Sequence, residues 1–452
     1  MRKAFAILMS ALVLFGCGHR ASQGGATGDP TLDITPAECE ARIALDFNRD
    51  SAYIVEYLKP YYPALTQEQV AAWEASKALE SRIINGQKRY FRNAGRNLFR
   101  IDPEARKVFE AVNGVTRDVE DVYLDEYNRD VIATVRATGE NLVKPVNFVI
   151  RYELTVKPDV VPAGETVRAW MPYPREDQNS MTEVRLVAAS EPDYIIAPDD
   201  VEHKSIYMEK KAEAGKPTVF SYTFSFTGFN EWYDFQPEDC LPYDTQSELY
   251  KTYTAERKTH IRFTDRIKTV TDSLVAGETN PYRKVRAIYG WIVQQFPWAS
   301  AREYSTIENI PVYVLENRHG DCGQVGLLLV TMCRYAGVPA RWQSGWMLHP
   351  GAVNMHDWSE VYYEGIGWVP TDVSFGRGRD AVRDVEDEYW FYTKGLDAYR
   401  LICNSDYSGQ FYPEKKFIRS ETVDFQRGEV EWAGGNLYFN QWSGWIEEIE
   451  YR

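Results

Sequence analysis

The chain has 452 residues, 44% of them apolar and 26% charged, which excludes both a small single module and a disordered polymer and calls for several packed cores. Asp and Glu number 66 against 51 Lys and Arg, a formal charge of −15, with no basic run to neutralise phosphates, so no nucleic acid is expected as a partner. The 13 Trp, 30 Tyr and 20 Phe suit large cores and equally suit flat subsites for peptides or sugars.

The first residues differ from the rest. Met1-Arg2-Lys3 is basic, and residues 4–15 are apolar but too short to cross a hydrocarbon layer of about 30 Å, the pattern of an export signal over residues 1–16. Leu14-Phe15-Gly16-Cys17 resembles the bacterial lipobox, which implies cleavage before Cys17 and lipidation of its thiol. Residues 17–35 then form a lipidated Cys and a Gly-rich flexible tether. No later apolar stretch reaches the roughly 18 residues of a spanning helix, so the lipid is the expected membrane attachment. Gly18 is not the acidic residue associated with inner-membrane retention. The expected location is therefore the bacterial cell envelope, on the periplasmic or surface face of the outer membrane.

Residues 36–140 read as a helical region, with Thr66 and Gln69 spaced as a capping box. Over residues 141–235 the period becomes two. Phe220, Tyr222, Phe224 and Phe226 alternate with hydroxyl residues as a half-buried strand requires, and with further strand-like runs at 152–156, 167–171 and 183–188 this predicts a β-sandwich. Residues 236–380 form a third region, where Asn280 and Pro281 start a helix carrying Val285, Ile288, Ile292 and Phe296 on one face. Residues 381–452 read as a C-terminal extension whose Ala433-Gly434-Gly435-Asn436 marks a hairpin packed on the rest.

The chemistry lies between residues 317 and 375. Gly320-Asp321-Cys322-Gly323-Gln324 precedes an apolar run that stops at Gly337 and Pro339, so Cys322 opens a buried helix. Unpaired amides and the helix dipole there favour a thiolate, which predicts a lowered thiol pKa and a nucleophilic sulfur. Strand-like runs follow at 341–348, 356–363 and 368–372, the last two joined by Glu364-Gly365-Ile366-Gly367. His356 lies eight residues before Glu364 and Asp372 eight after it, so the two face each other across a hairpin to within one or two residues of register. A carboxylate beside an imidazole, and an imidazole beside a thiol, make the Cys322, His356, Asp372 set a nucleophile, base and orienter. A metal site is the rival reading, but these are only three ligands, no C-x-x-C pair exists, and His349 is expected on a loop, so no metal and no cofactor are expected. The cysteines other than Cys17 are Cys39, Cys240, Cys322, Cys333 and Cys403, an odd number, so at least one free thiol is expected.

The blocks Gly320-Asp321-Cys322, Tyr335 to Arg341, His356-Asp357-Trp358-Ser359-Glu360-Val361 and Gly367 to Asp372 resemble the core of the bacterial transglutaminase-like superfamily. The resemblance implies a papain-like cysteine fold, with a helix-borne Cys packed on an antiparallel sheet, within an α+β multidomain chain. It also implies Cys322 as nucleophile, His356 as general base and acid, and Asp372 as its orienter. An aromatic donor upstream of the nucleophile, as in this family, would be Trp298; Asn317 is the other oxyanion candidate, beside the Cys322 amide. Gly323 departs from the Trp that follows the nucleophile in animal transglutaminases. The expected activity is a lipid-anchored cysteine hydrolase that cleaves a peptide, isopeptide or side-chain amide through a thioester, with peptide or protein substrates that include cell-wall peptide or glycopeptide. Acyl transfer to an amine and a non-catalytic peptide- or glycan-binding lipoprotein are the alternatives.

Overall fold

The computed structural model describes residues 29–115, 119–376 and 386–452. The expected export signal and Cys17, the expected lipidation site, lie outside the described residues. Among the described residues no helix is long and apolar enough to cross a membrane.

The chain is α+β with three larger antiparallel sheets. The N-terminal helices Pro36–Asp46, Ser51–Leu58, Gln67–Ala75, Ala94–Ile101 and Pro103–Asn113 close on their own apolar cluster around Phe47, Leu58, Phe91 and Leu98. A short hairpin, Ser81–Ile84 with Gln87–Tyr90, sits among them. Each of these helices except Ala94–Ile101 begins at an Asp or Thr whose side chain accepts a backbone N–H, and Thr66 with Gln69 forms the reciprocal box.

The next segment builds two five-stranded sheets. Strands Leu142–Val156 and Thr218–Trp232 pair along nearly their whole length. Strands Thr166–Pro172 and Ser205–Lys211 form the centre of the second sheet. Phe220, Tyr222, Phe224 and Phe226 are all buried, as their alternation requires. The two sheets meet where Tyr222 donates its hydroxyl to the Pro172 carbonyl and Tyr173 packs on Tyr222 and Phe224.

The C-terminal residues are more than an appendage. Trp442–Tyr451 pairs with Leu142–Val156, Glu429–Trp432 pairs with Thr166–Pro172, and Arg400–Asn404 pairs with Ala340–His349. Every larger sheet therefore takes a strand from beyond residue 386. Glu429–Trp432 and Gly435–Leu437 form the hairpin itself, turning at Ala433-Gly434. Local turn chemistry reveals such a hairpin but not its partners, because pairing across hundreds of residues leaves no periodic trace.

The sheet that positions the site has four strands in the order Gly367–Thr371, Ala352–Tyr363, Ala340–His349, Arg400–Asn404. Helix Cys322–Tyr335 packs on it, with residues 323–334 all buried, and helix Pro281–Gln295 packs against that helix. His349 ends a strand instead of lying on a loop, and its Nε2 is 2.9 Å from buried Asp397. All five described cysteines are free thiols. Removing residues 442–452 would strip the outer strand from Leu142–Val156 and uncover a long sheet edge. The expected result is a thermal midpoint lower by roughly 5 °C or more with aggregation on heating, read by circular dichroism and light scattering.

Candidate active site

Helix Cys322–Tyr335 starts at Asp321, whose Oδ1 accepts the Gln324 N–H at 3.1 Å while Gln324 Oε1 accepts the Asp321 N–H at 3.2 Å. This box makes Cys322 the first helical residue, with a backbone N–H that has no intrahelical acceptor by position. As a whole residue Cys322 is half-buried. Gly323 follows because nothing larger fits: a Cβ there would run into the Tyr304 hydroxyl and stand 2.6 Å from Asp357 Oδ2.

The hairpin brings His356 and Asp372 together, with Nε2 and Oδ2 2.7 Å apart and both side chains buried. Its ladder runs from Tyr363 opposite Gly367 to Ser359 opposite Thr371, so its continuation sets Asp372 against Trp358 and His356 one diagonal step away on the same face. Burial alone would raise the Asp372 pKa. His356, Arg400 and the Ser374 N–H outweigh it and hold the carboxyl below its usual range. Arg400 Nη1 donates to Asp372 Oδ2 at 2.8 Å, and its other nitrogens bind Asp397. An ionised Asp372 can only accept, so Nε2 carries the ring hydrogen in a neutral imidazole. Nδ1 is then the acceptor nitrogen, and it makes no hydrogen bond among the described residues. Burial lowers the His356 pKa, with Asp372 acting the other way.

The sulfur itself touches a different group. Cys322 Sγ donates to Asp357 Oδ2 at 3.5 Å and shares no hydrogen bond with His356, the neighbour of Asp357 in the strand. Burial, with the Asp357 and Asp321 carboxylates close by, pushes the Cys322 thiol well above its usual range. This reverses the lowered pKa expected from a helix start. A helix end contributes typically 0.3–1 kcal/mol, less than desolvation and two nearby carboxylates.

The Asn317 side-chain amide donates to the Tyr313 carbonyl at 2.8 Å within its own helix. Trp298 lies beside the site through a backbone bridge to Gly320, but the residue is 44% exposed and the Arg100 guanidinium lies over its ring at 4.4 Å. Neither side chain makes a hydrogen bond to Cys322.

Besides Asp357, three residues beyond the sequence reading complete the surroundings. Tyr304 donates to Asp321 Oδ1 at 2.6 Å and stands 3.5 Å from Asp357 Oδ2. Gln426, from the C-terminal segment, donates at 2.8 Å to the His356 carbonyl and at 2.8 Å to Asp357 Oδ1. Arg400 holds Asp372. Only Asp357 carried a signal, an acid set in a strand between His356 and Trp358. Behind Tyr304, Glu303 binds Arg92 and Arg427, which outweigh burial and bring its pKa down to about 2.

Residues 268–373 match the transglutaminase-like superfamily. The Bacillus subtilis (strain 168) protein YebA, uncharacterised, is 26% identical over 136 residues, 25% of this chain; the match spans only 18% of that relative's length. A Cytophaga hutchinsonii structure provisionally regarded as a cysteine protease is 14% identical, with a TM-score of 0.44, covering 69% of this chain and 91% of that one. The periplasmic domain of TgpA from Pseudomonas aeruginosa is 14% identical with a TM-score of 0.27, covering 50% of this chain and 88% of that one.

The carboxyls around the sulfur link stability to pH. Burial brings Asp321 up to about 6 and raises Asp424 as well. A carboxyl whose folded pKa is raised binds its proton more tightly when folded, so stability is greatest below the unfolded value near 4 and falls as pH rises through the folded one. Glu303 has the opposite sign, but its stabilisation is complete above about pH 4.5 and is lost only toward about 2. Burial brings His260 and His319 down to about 4, and these act the other way over the same range, so the sign is read as a difference: the thermal midpoint of the wild type relative to Asp321→Asn is expected to fall between about pH 4 and about pH 6, measured by calorimetry on both proteins.

Proposed function

On the premise that residues 268–373 are a transglutaminase-like core, we propose that this protein is a cysteine hydrolase that cleaves a peptide, isopeptide or side-chain amide through a thioester. The observation that carries the reading is the buried His356–Asp372 pair, whose tautomer leaves the Nδ1 lone pair open in the strand residue next to the one that touches the sulfur.

In this mechanism the Cys322 proton passes to His356 Nδ1, giving thiolate and imidazolium. The sulfur attacks the substrate carbonyl carbon; a C–S bond forms and the C=O electron pair moves to oxygen. The Cys322 backbone N–H is the donor nearest that oxyanion by its position at the helix start. Imidazolium gives its proton to the departing nitrogen as the C–N bond breaks, leaving a thioester. Water then attacks, His356 accepts its proton, and the thiol is returned with the carboxylic acid product. Asp372, held ionised between His356 and Arg400, fixes the ring and stabilises its cationic form. Peptides of the cell envelope are the substrate class that matches an exported, lipid-anchored chain.

The test is to incubate the mature protein with a peptide library and an isotopically labelled primary amine and to read the products by mass spectrometry. Cleavage or deamidation is expected, lost in Cys322→Ala and lowered about a hundredfold or more in Asp372→Asn. Amine incorporation would identify a transferase, and no reaction by the wild type would leave only the binding module. Anchoring is checked separately by metabolic labelling with a tagged fatty acid. The label is expected on the wild type and absent from Cys17→Ala; an unlabelled wild type would end the lipoprotein reading.

A further inference from the structure

The contact between Cys322 and Asp357 has no part in the reaction just described, yet the surrounding side chains are arranged to hold it. Asp357 Oδ1 is fixed by Gln426 Nε2 at 2.8 Å, which leaves Oδ2 turned to the sulfur at 3.5 Å. The missing side chain at Gly323 is what lets that oxygen approach. Tyr304 stands against the same oxygen while donating its own hydrogen to Asp321, so its hydroxyl does not compete for Oδ2. We infer that Asp357 is a positioning residue that holds the Cys322 hydrogen away from His356 and so acts as a brake on the nucleophile in the resting protein.

The S–H group is a weak donor and lies where a carboxylate can take it. While that bond stands, the hydrogen points to Oδ2 and not to the Nδ1 lone pair. Activation requires that the Cys322 side chain leave Oδ2 and turn toward Nδ1; the S–H bond then breaks, an N–H bond forms on His356, and no further reactant is involved. Once ionised, Oδ2 also opposes the thiolate by like-charge repulsion. The other acids facing Asp357 oppose that ionisation. Asp321 from the helix cap, and Asp424 and Glu421 from the C-terminal segment, raise the Asp357 pKa together with burial, the largest cause. Arg427 faces Glu421 and Asp424 and acts the other way on both. His356 and Asp372 complete the charged groups nearby, and the Asp357 backbone N–H favours the thiolate. Substrate binding that shields or displaces the carboxyl would release the brake.

The inference depends on the hydrolase reading for its meaning, but its test reads the thiol directly. Iodoacetamide labelling of Cys322 is followed by peptide mass spectrometry from about pH 4 to about pH 10 for the wild type and Asp357→Asn. The variant is expected to label at least about tenfold faster at pH 7, with the midpoint of its profile about one pH unit or more lower. An unchanged or higher midpoint would overturn the proposal. Should the variant not fold, infrared spectroscopy of the wild type decides. The S–H band that disappears in Cys322→Ser is expected at lower frequency than the band that disappears in Cys333→Ser, because Cys333 is packed in hydrocarbon; equal frequencies would overturn it. Failure to cleave any peptide would sink the hydrolase reading while leaving both measurements interpretable.

Discussion

The structure depends on how it buries one negative charge. An ionised carboxylate without partners in the interior costs several kcal/mol, and Asp372 is fully buried. It is satisfied from three directions: by the imidazole of the adjacent strand, by the Ser374 amide of the turn that it caps, and by the guanidinium of Arg400. Arg400 in turn is shared with Asp397, which binds His349 at the far end of the neighbouring strand. One network of charge-assisted bonds thus sets the imidazole's tautomer and joins the hairpin to a strand from much later in the chain.

Much of this site was legible in the sequence because its parts follow local rules. The capping box at Asp321, the glycine stop at Gly337 and the alternating strands placed Cys322 at a helix start and His356 near Asp372 across a hairpin. The register read from Glu364-Gly365-Ile366-Gly367 differed by two residues from the ladder, a shift that keeps both side chains on one face. What could not be read was everything delivered by tertiary contact. Arg400 and Gln426 come from a segment with no pattern linking it to the hairpin, and Tyr304 comes from a single 3-10 turn. The acidity of the thiol failed for the same reason. A local argument from the helix end met carboxylates that only the folded chain sets beside the sulfur.

The N-terminal helices are tied to the same region. Arg42 donates to the carbonyls of Arg419 and Ser420, Asp46 accepts the Glu303 N–H, and Arg92 and Arg427 converge on the Glu303 carboxylate. Glu303 immediately precedes Tyr304, so early and late segments meet one residue away from the phenol that lines the sulfur's surroundings. The shape of the ground around Cys322 is therefore a property of nearly the whole described chain and not of the core that holds the nucleophile.

The interleaving of late strands into every larger sheet also sets an order of events. Trp442–Tyr451 closes on Leu142–Val156 across a loop of roughly two thirds of the chain, and closing such a loop comes late because its entropy must be overcome before any contact compensates for it. Arg400 and Gln426, which hold Asp372, His356 and Asp357, belong to that last stretch. A chain in which they have yet to be made lacks the groups that fix Asp372 and Asp357. The surroundings of Cys322 are thereby among the last parts of the fold to be completed.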